Sequence, residues 1–144
     1  MTSKESNVTD AMASLTPSVP LCADTAIFEI TDNGDWFYQG GLLPLKFSKL
    51  FASILNRIDD EYFLITPVEK LKVEVVNQAL IIVDYDADGK GGYELVSSIN
   101  TRHHISTFEG FIVSDDKITT RVERGVIARL NRACFYRFIN EFIA

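Results

Sequence analysis

Between Asp35 and Lys70 the chain changes hydrophobic period twice, so no single kind of element accommodates the stretch. Trp36, Phe37 and Tyr38 are strand formers. Past Gly40 and Gly41, Phe47, Leu50, Phe51, Ile54 and Leu55 recur at helical spacing, and from Tyr62 to Thr66 the run is β-prone again. A strand, helix, strand core follows. Upstream, Ala26 to Thr31 reads as a strand, Asp32-Asn33-Gly34-Asp35 as a turn, and Trp36 to Gln39 as the returning strand of a hairpin. Pro44 suits the first turn of a helix, where a missing N–H costs nothing, and the pattern carries that helix to Asn56. Asp59 and Asp60 form the next turn. Pro67 stops the following strand, and Lys70, Lys72 and Glu74 alternate with Leu71, Val73 and Val75 as a half-buried strand requires.

A second set begins at Leu80. Strands are expected over Leu80 to Tyr85 and Tyr93 to Ile99, on either side of a Gly-rich turn. Further β-prone pieces run from Ile105 to Val113 and from Ile118 to Val122, and an amphipathic helix runs from about Arg124 to Phe142. The expected fold is therefore α+β with a duplicated core, each half a set of antiparallel strands followed by an amphipathic helix. The expected boundaries are a loosely held arm over 1–20, with a short helical possibility from Thr9 to Leu15, an N-terminal half over 21–78 and a C-terminal half over 79–144. Halves this small need each other to bury enough surface, so they are expected to pack as one compact unit.

Several classes are disfavoured. The longest apolar runs, Ala79 to Val83 and Tyr62 to Ile65, fall far short of the ~20 residues that cross a bilayer. The first residues show no secretory pattern, which makes a cytoplasmic address the expectation. A net charge of −6 opposes broad binding to nucleic acid polymers or acidic membranes. Locally the balance reverses: between residues 115 and 137, Lys117, Arg121, Arg124, Arg129, Arg132 and Arg137 outnumber Asp115, Asp116 and Glu123. Cys22 and Cys134, far apart in a chain of this class, read as free thiols.

Asp84, Asp86, Asp88 and Gly89 imitate the start of a calcium loop, but the twelfth position is Leu95 and Glu94 falls one residue short. A hairpin tip is the better reading. His103 and His104 are adjacent, so on a strand they point to opposite faces and cannot chelate together; they read as surface or loop histidines. No nucleophile-elbow, Walker or dinucleotide-binding sequence occurs. No cofactor, metal or catalytic group is assigned, which places an enzyme last among the readings.

On the expected terminal helix, Ile127, Leu130, Cys134 and Phe138 form one apolar stripe, with Arg129, Arg132, Tyr136 and Asn140 opposite. Two guanidinium groups beside a tyrosine can grip a phosphate and stack on a ring, although exposed helix faces are commonly charged without further purpose. Trp36 and Tyr38 share one face of their strand and offer aromatic stacking, while at least one face of that strand must supply core.

The runs Trp36-Phe37-Tyr38-Gln39-Gly40, Leu50-Phe51 and Tyr62-Phe63-Leu64-Ile65-Thr66-Pro67-Val68-Glu69-Lys70, with Arg124-Gly125 and Phe135-Tyr136, resemble the bacterial family known as domain of unknown function 1285. The likeness spans about residues 24 to 142. An arginine that members carry after the Gly region corresponds here to Leu43-Pro44-Leu45-Lys46, so its role passes to Lys46 or is absent. The resemblance implies a duplicated α+β core, a C-terminal half superficially like a pleckstrin-homology domain, and a cleft between the halves that takes a nucleotide-like ligand in signalling.

The combined expectation is a ligand-binding module for a small anionic or nucleotide-based molecule. Arg129 and Arg132 would hold the anion and Tyr136, Trp36 or Tyr38 a ring, with Lys46, Thr66 and Lys70 as further donors. The alternative is a protein-interaction module.

Overall fold

The computed structural model describes residues 27–143, so the arm over 1–20, the helical possibility from Thr9 to Leu15 and Cys22 lie outside the described residues. Two compact units result, one running through Asn77 and the other starting at Gln78.

The first unit comprises β1 (Phe28–Ile30), β2 (Trp36–Tyr38), β3 (Gly41–Leu42), α1 (Leu45–Ala52), β4 (Leu55–Ile58), β5 (Glu61–Ile65) and β6 (Lys70–Val75). Its six strands lie in the order β3-β2-β1-β6-β5-β4. All pairs are antiparallel except the central one, β1 with β6. Two tight turns impose left-handed backbone: Gln39 and Gly40 (φ 49° and 83°) between β2 and β3, and Asp59 and Asp60 (φ 53° and 67°) between β4 and β5. Two-residue hairpins need that hand to match strand twist, and Gly and Asp tolerate it best among these residues. Phe28, Ile30, Trp36, Phe51, Leu64 and Leu71 fill the core, with the Phe28 and Phe51 rings edge to face at 5.3 Å.

The second unit comprises β7 (Leu80–Ala87), β8 (Tyr93–Ser97), β9 (Arg102–Ile105), a 3₁₀ turn (Phe108–Gly110), β10 (Phe111–Val113), β11 (Ile118–Arg121), a second 3₁₀ turn (Glu123–Gly125), β12 (Ile127–Leu130) and α2 (Arg132–Phe138), which runs into a π turn over Ile139–Ile143. The strand order is β10-β11-β12-β7-β8-β9. Again only the central pair, β12 with β7, is parallel.

The duplication therefore resides in the strands. Each unit is a three-strand meander, a connector and a second three-strand meander whose last strand lies parallel to the first. The helices take different places, α1 between the meanders of the first unit and α2 after those of the second.

Both helices are shorter than the sequence periodicity predicts. The run from 44 to 56 yields α1 only to Ala52, and Leu55 and Asn56 belong to β4. The run from Arg124 to Phe142 is helical only from Arg132: Arg124 and Gly125 are left-handed (φ 59° and 74°) and stop any helix there, and Ile127–Leu130 pair on both sides with β7 and β11. Ile127 and Leu130 accordingly do not share a helical stripe with Cys134 and Phe138, and Arg129 does not share a helical face with Arg132 and Tyr136.

Candidate functional site

Helix α2 is positioned by one strong anchor. Asn131 caps it, its side chain accepting the Cys134 N–H at 2.9 Å, while Cys134 and Phe138 turn inward. Arg137 then ties it to β7, donating to Asp84 at 2.8 Å, to the Tyr85 carbonyl at 2.6 Å and to Glu141 at 3.1 Å. Its guanidinium also lies 4.0 Å from the Tyr85 ring centroid. The Tyr85 hydroxyl donates to Glu141 at 2.6 Å. Burial first, then that carboxylate, pushes the phenol pKa far above its ordinary value. Around Phe138, Tyr85, Phe108, Phe111 and Phe142 make tilted, stacked and edge contacts between 4.8 and 6.2 Å. The buried Cys134 is a free thiol whose pKa is raised by burial, which makes it an inert core residue.

On the outward side of this anchored helix stand Arg132 and Tyr136, one turn apart, with the guanidinium 5.8 Å from the ring centroid. Tyr136 is 53% exposed. Among the described residues no carboxylate lies within 4.0 Å of Arg132. Of the group Arg129, Arg132 and Tyr136, the structure brings only Arg132 and Tyr136 together on one helix, a planar donor beside an accessible ring.

The others are placed differently. Trp36 is 1% exposed in the core of the first unit, so neither ring face is open to a ligand. Tyr38 is half-buried, tilted against Phe28 at 5.1 Å. Thr66 is buried, and its hydroxyl accepts the N–H of Val68 at 3.3 Å and of Glu69 at 3.0 Å, so it holds the β5–β6 turn. Lys70 lies over Phe63 at 4.6 Å and Lys46 over Phe47 at 5.2 Å. Arg129 is half-buried on β12, opposite Thr119 of β11 and Ile81 of β7.

Of the three acids of the calcium-like run, Asp84 and Asp86 both face Arg137, Asp86 at 4.0 Å, and Asp88 turns away to other partners. Asp84 pairs with Arg137, while Asp88 accepts the N–H groups of Lys90 and Gly92 and pairs with His104 Nε2 at 2.7 Å. The His104 hydrogen bond is the main cause holding the Asp88 carboxyl below its ordinary pKa. Among the described residues no cluster of three metal-ligating side chains occurs.

His103 departs from the surface reading. It is buried on β9, its Nε2 2.8 Å from the Thr101 hydroxyl and its Nδ1 hydrogen-bonded to Glu123. Thr101 in turn meets the buried Ser97 hydroxyl at 2.5 Å. The hydrogen bond from His103, followed by burial opposing it and the charges of His103 and Arg124 favouring it, leaves the Glu123 carboxyl below its ordinary range. This chain fastens β9 to the turn between β11 and β12. The period-two alternation Arg102, His103, His104, Ile105 was the signal for it, since His103 shares the inward face of Ile105. Beside the fastening, a cavity of about 370 Å³ opens between β9 and the end of β11, lined by His104, Ser106, Thr107, Gly110, Arg121 and Glu123 among others.

A profile described as domain of unknown function (DUF1285), N-terminal domain, matches residues 16–78. A crystal structure of a DUF1285 family protein from Shewanella baltica OS155 is 47% identical, covering 83% of this chain and 95% of its own, with a TM-score of 0.77. A DUF1285 family protein from Silicibacter pomeroyi DSS-3 is 25% identical over 85% of this chain and 72% of its own, with a TM-score of 0.69. The curated proteins yield no match.

Proposed function

We propose that this chain, which belongs to the bacterial DUF1285 family, is a cytoplasmic binding module with a part in signalling, and that its ligand is a small anion carrying a phosphate and a ring, as a nucleotide does. The observation that supports this reading is the Arg132–Tyr136 pair: a guanidinium without a carboxylate partner among the described residues, poised over an exposed ring on a helix that Arg137 holds still. Guanidinium forks take phosphate bidentately, and the tyrosine face stacks on a planar base. An ordered anchor also lowers the entropy cost of presenting two such groups together.

Isothermal titration with adenosine monophosphate and with inorganic phosphate tests the reading. Binding is expected to weaken in Arg132→Ala by about 1.5–3 kcal/mol, the worth of a hydrogen bond to a charged group, and in Tyr136→Ala for the nucleotide but not for phosphate. Unchanged affinity in both variants, or no binding by the wild type, would remove the site from consideration.

A second reading, a protein-interaction module, is favoured by β10. It is an edge strand whose Ile112 and Val113 are 63% and 46% exposed, with Phe108 and Phe142 also partly open on the same unit. A concentration-dependent mass in sedimentation, unaffected by nucleotide, would favour it.

A further inference from the structure

The cavity beside β9 carries two opposite charges that do not neutralise each other. Arg121 and Glu123 are two residues apart and line the same space, yet they form no ion pair within 4.0 Å; one oxygen of the Glu123 carboxylate is hydrogen-bonded to His103 Nδ1. Among the described residues no carboxylate pairs with Arg121, and the Ser106 and Thr107 hydroxyls on the same wall make no hydrogen bond to protein groups. Gly110, on the cavity's wall, packs close to the interior: a Cβ there would fall 3.3 Å from the Ile105 side chain and 3.6 Å from Thr120 Oγ1, a hydroxyl that is buried without a partner. Gly92 lets the Ser106 segment approach, since a Cβ at that position would sit 2.4 Å from the Ile105 carbonyl and 3.0 Å from that of Ser106.

A simple anion in this cavity is attracted by Arg121 and repelled by Glu123, and a simple cation meets the reverse. Only a molecule bearing both charges gains on both sides, and the volume of about 370 Å³ suits one of modest size. We propose that the cavity binds a small zwitterion of the free α-amino acid class, its carboxylate on the Arg121 guanidinium with the hydroxyls of Ser106 and Thr107, and its ammonium on Glu123. The site shares no residue with the Arg132–Tyr136 pair, so either proposal can fail alone.

A thermal-shift series with the free L-amino acids at millimolar concentration, against acetate and methylamine, tests it on the full chain. At least one amino acid is expected to raise the melting temperature saturably while acetate and methylamine do not. Arg121→Gln should weaken that response by tenfold or more, and Arg132→Ala should leave it unchanged. Arg121 is exposed, so its variant should melt as the wild type does without ligand; should it melt well below, Thr107→Val carries the same comparison. A response to acetate equal to that of the amino acids, no saturable response to any amino acid, or full affinity in the variant would overturn the proposal.

Discussion

Trp36 shows how far residue identity alone carries. Its size and its place among strand formers marked it as central, but whether it serves a ligand or the core depends on what covers it, and that is set by Phe51 of α1, whose ring lies 6.5 Å away. Trp36→Ala should cost about 3–5 kcal/mol in urea unfolding; a loss below about 1 kcal/mol would mean the core closes around the gap. Glu123 makes the complementary point, since its partner His103 is twenty residues away and no local spacing announces the pair. Because its folded pKa lies below the unfolded one, the stability it contributes is present above the unfolded value, about 4.3, and is lost as pH falls through the folded value. The melting temperature of the wild type should therefore drop more steeply on acidification through that range than that of Glu123→Gln. Parallel curves would show that the pair adds nothing to acid stability.

At the scale of elements, Arg124 to Leu130 is where periodicity misleads. Ile127, Leu130, Cys134 and Phe138 satisfy a helical stripe, while Ala128 and Leu130 facing inward with Ile127 and Arg129 facing outward satisfy a strand equally well. Strand pairing on both sides and the left-handed Arg124–Gly125 step decide the matter, and neither is local information. The β1–β2 and β7–β8 hairpins were legible because their cause is local, Asp, Asn and Gly between β-prone runs, whereas the β2–β3 and β4–β5 hairpins were not, since Gly40 and Gly41 read as a break and Asp59 and Asp60 as the turn after a helix. The anchor of α2 was not, because Arg137 reaches residues more than fifty positions away. Arg137→Ala should lower stability by about 1–2 kcal/mol, given its partial exposure, and speed hydrogen exchange across α2 more than across β7. Uniform acceleration over both elements would mean that the helix and the sheet open together.

At the scale of the molecule, the sequence suggested duplication only through a similar succession of elements, and identity between the halves is slight. Topology is the evidence: two sheets with the same strand order about a central parallel pair. No helix among the described residues is long and apolar enough to cross a membrane. In hydrogen exchange the central strands β1, β6, β7 and β12 should be the slowest of their sheets, and the edges β3, β4, β9 and β10 the fastest. Equal protection at β10 and β12 would indicate that the β10 edge is covered in solution.

The parallel central pair also fixes how the chain passes through each unit. It enters along the first strand and leaves in the same direction along the last, and because Phe28 lies opposite Val73 and Ile30 opposite Val75, the two ends of the first unit, Phe28 and Val75, stand only about 8 Å apart, two residues of rise and one strand spacing. Copies in series follow one another through a connector as short as residues 76–79, and with ends this close a circular permutant of the unit needs only a linker of a few residues, while grafting the unit into a host loop leaves that loop's ends nearly in place.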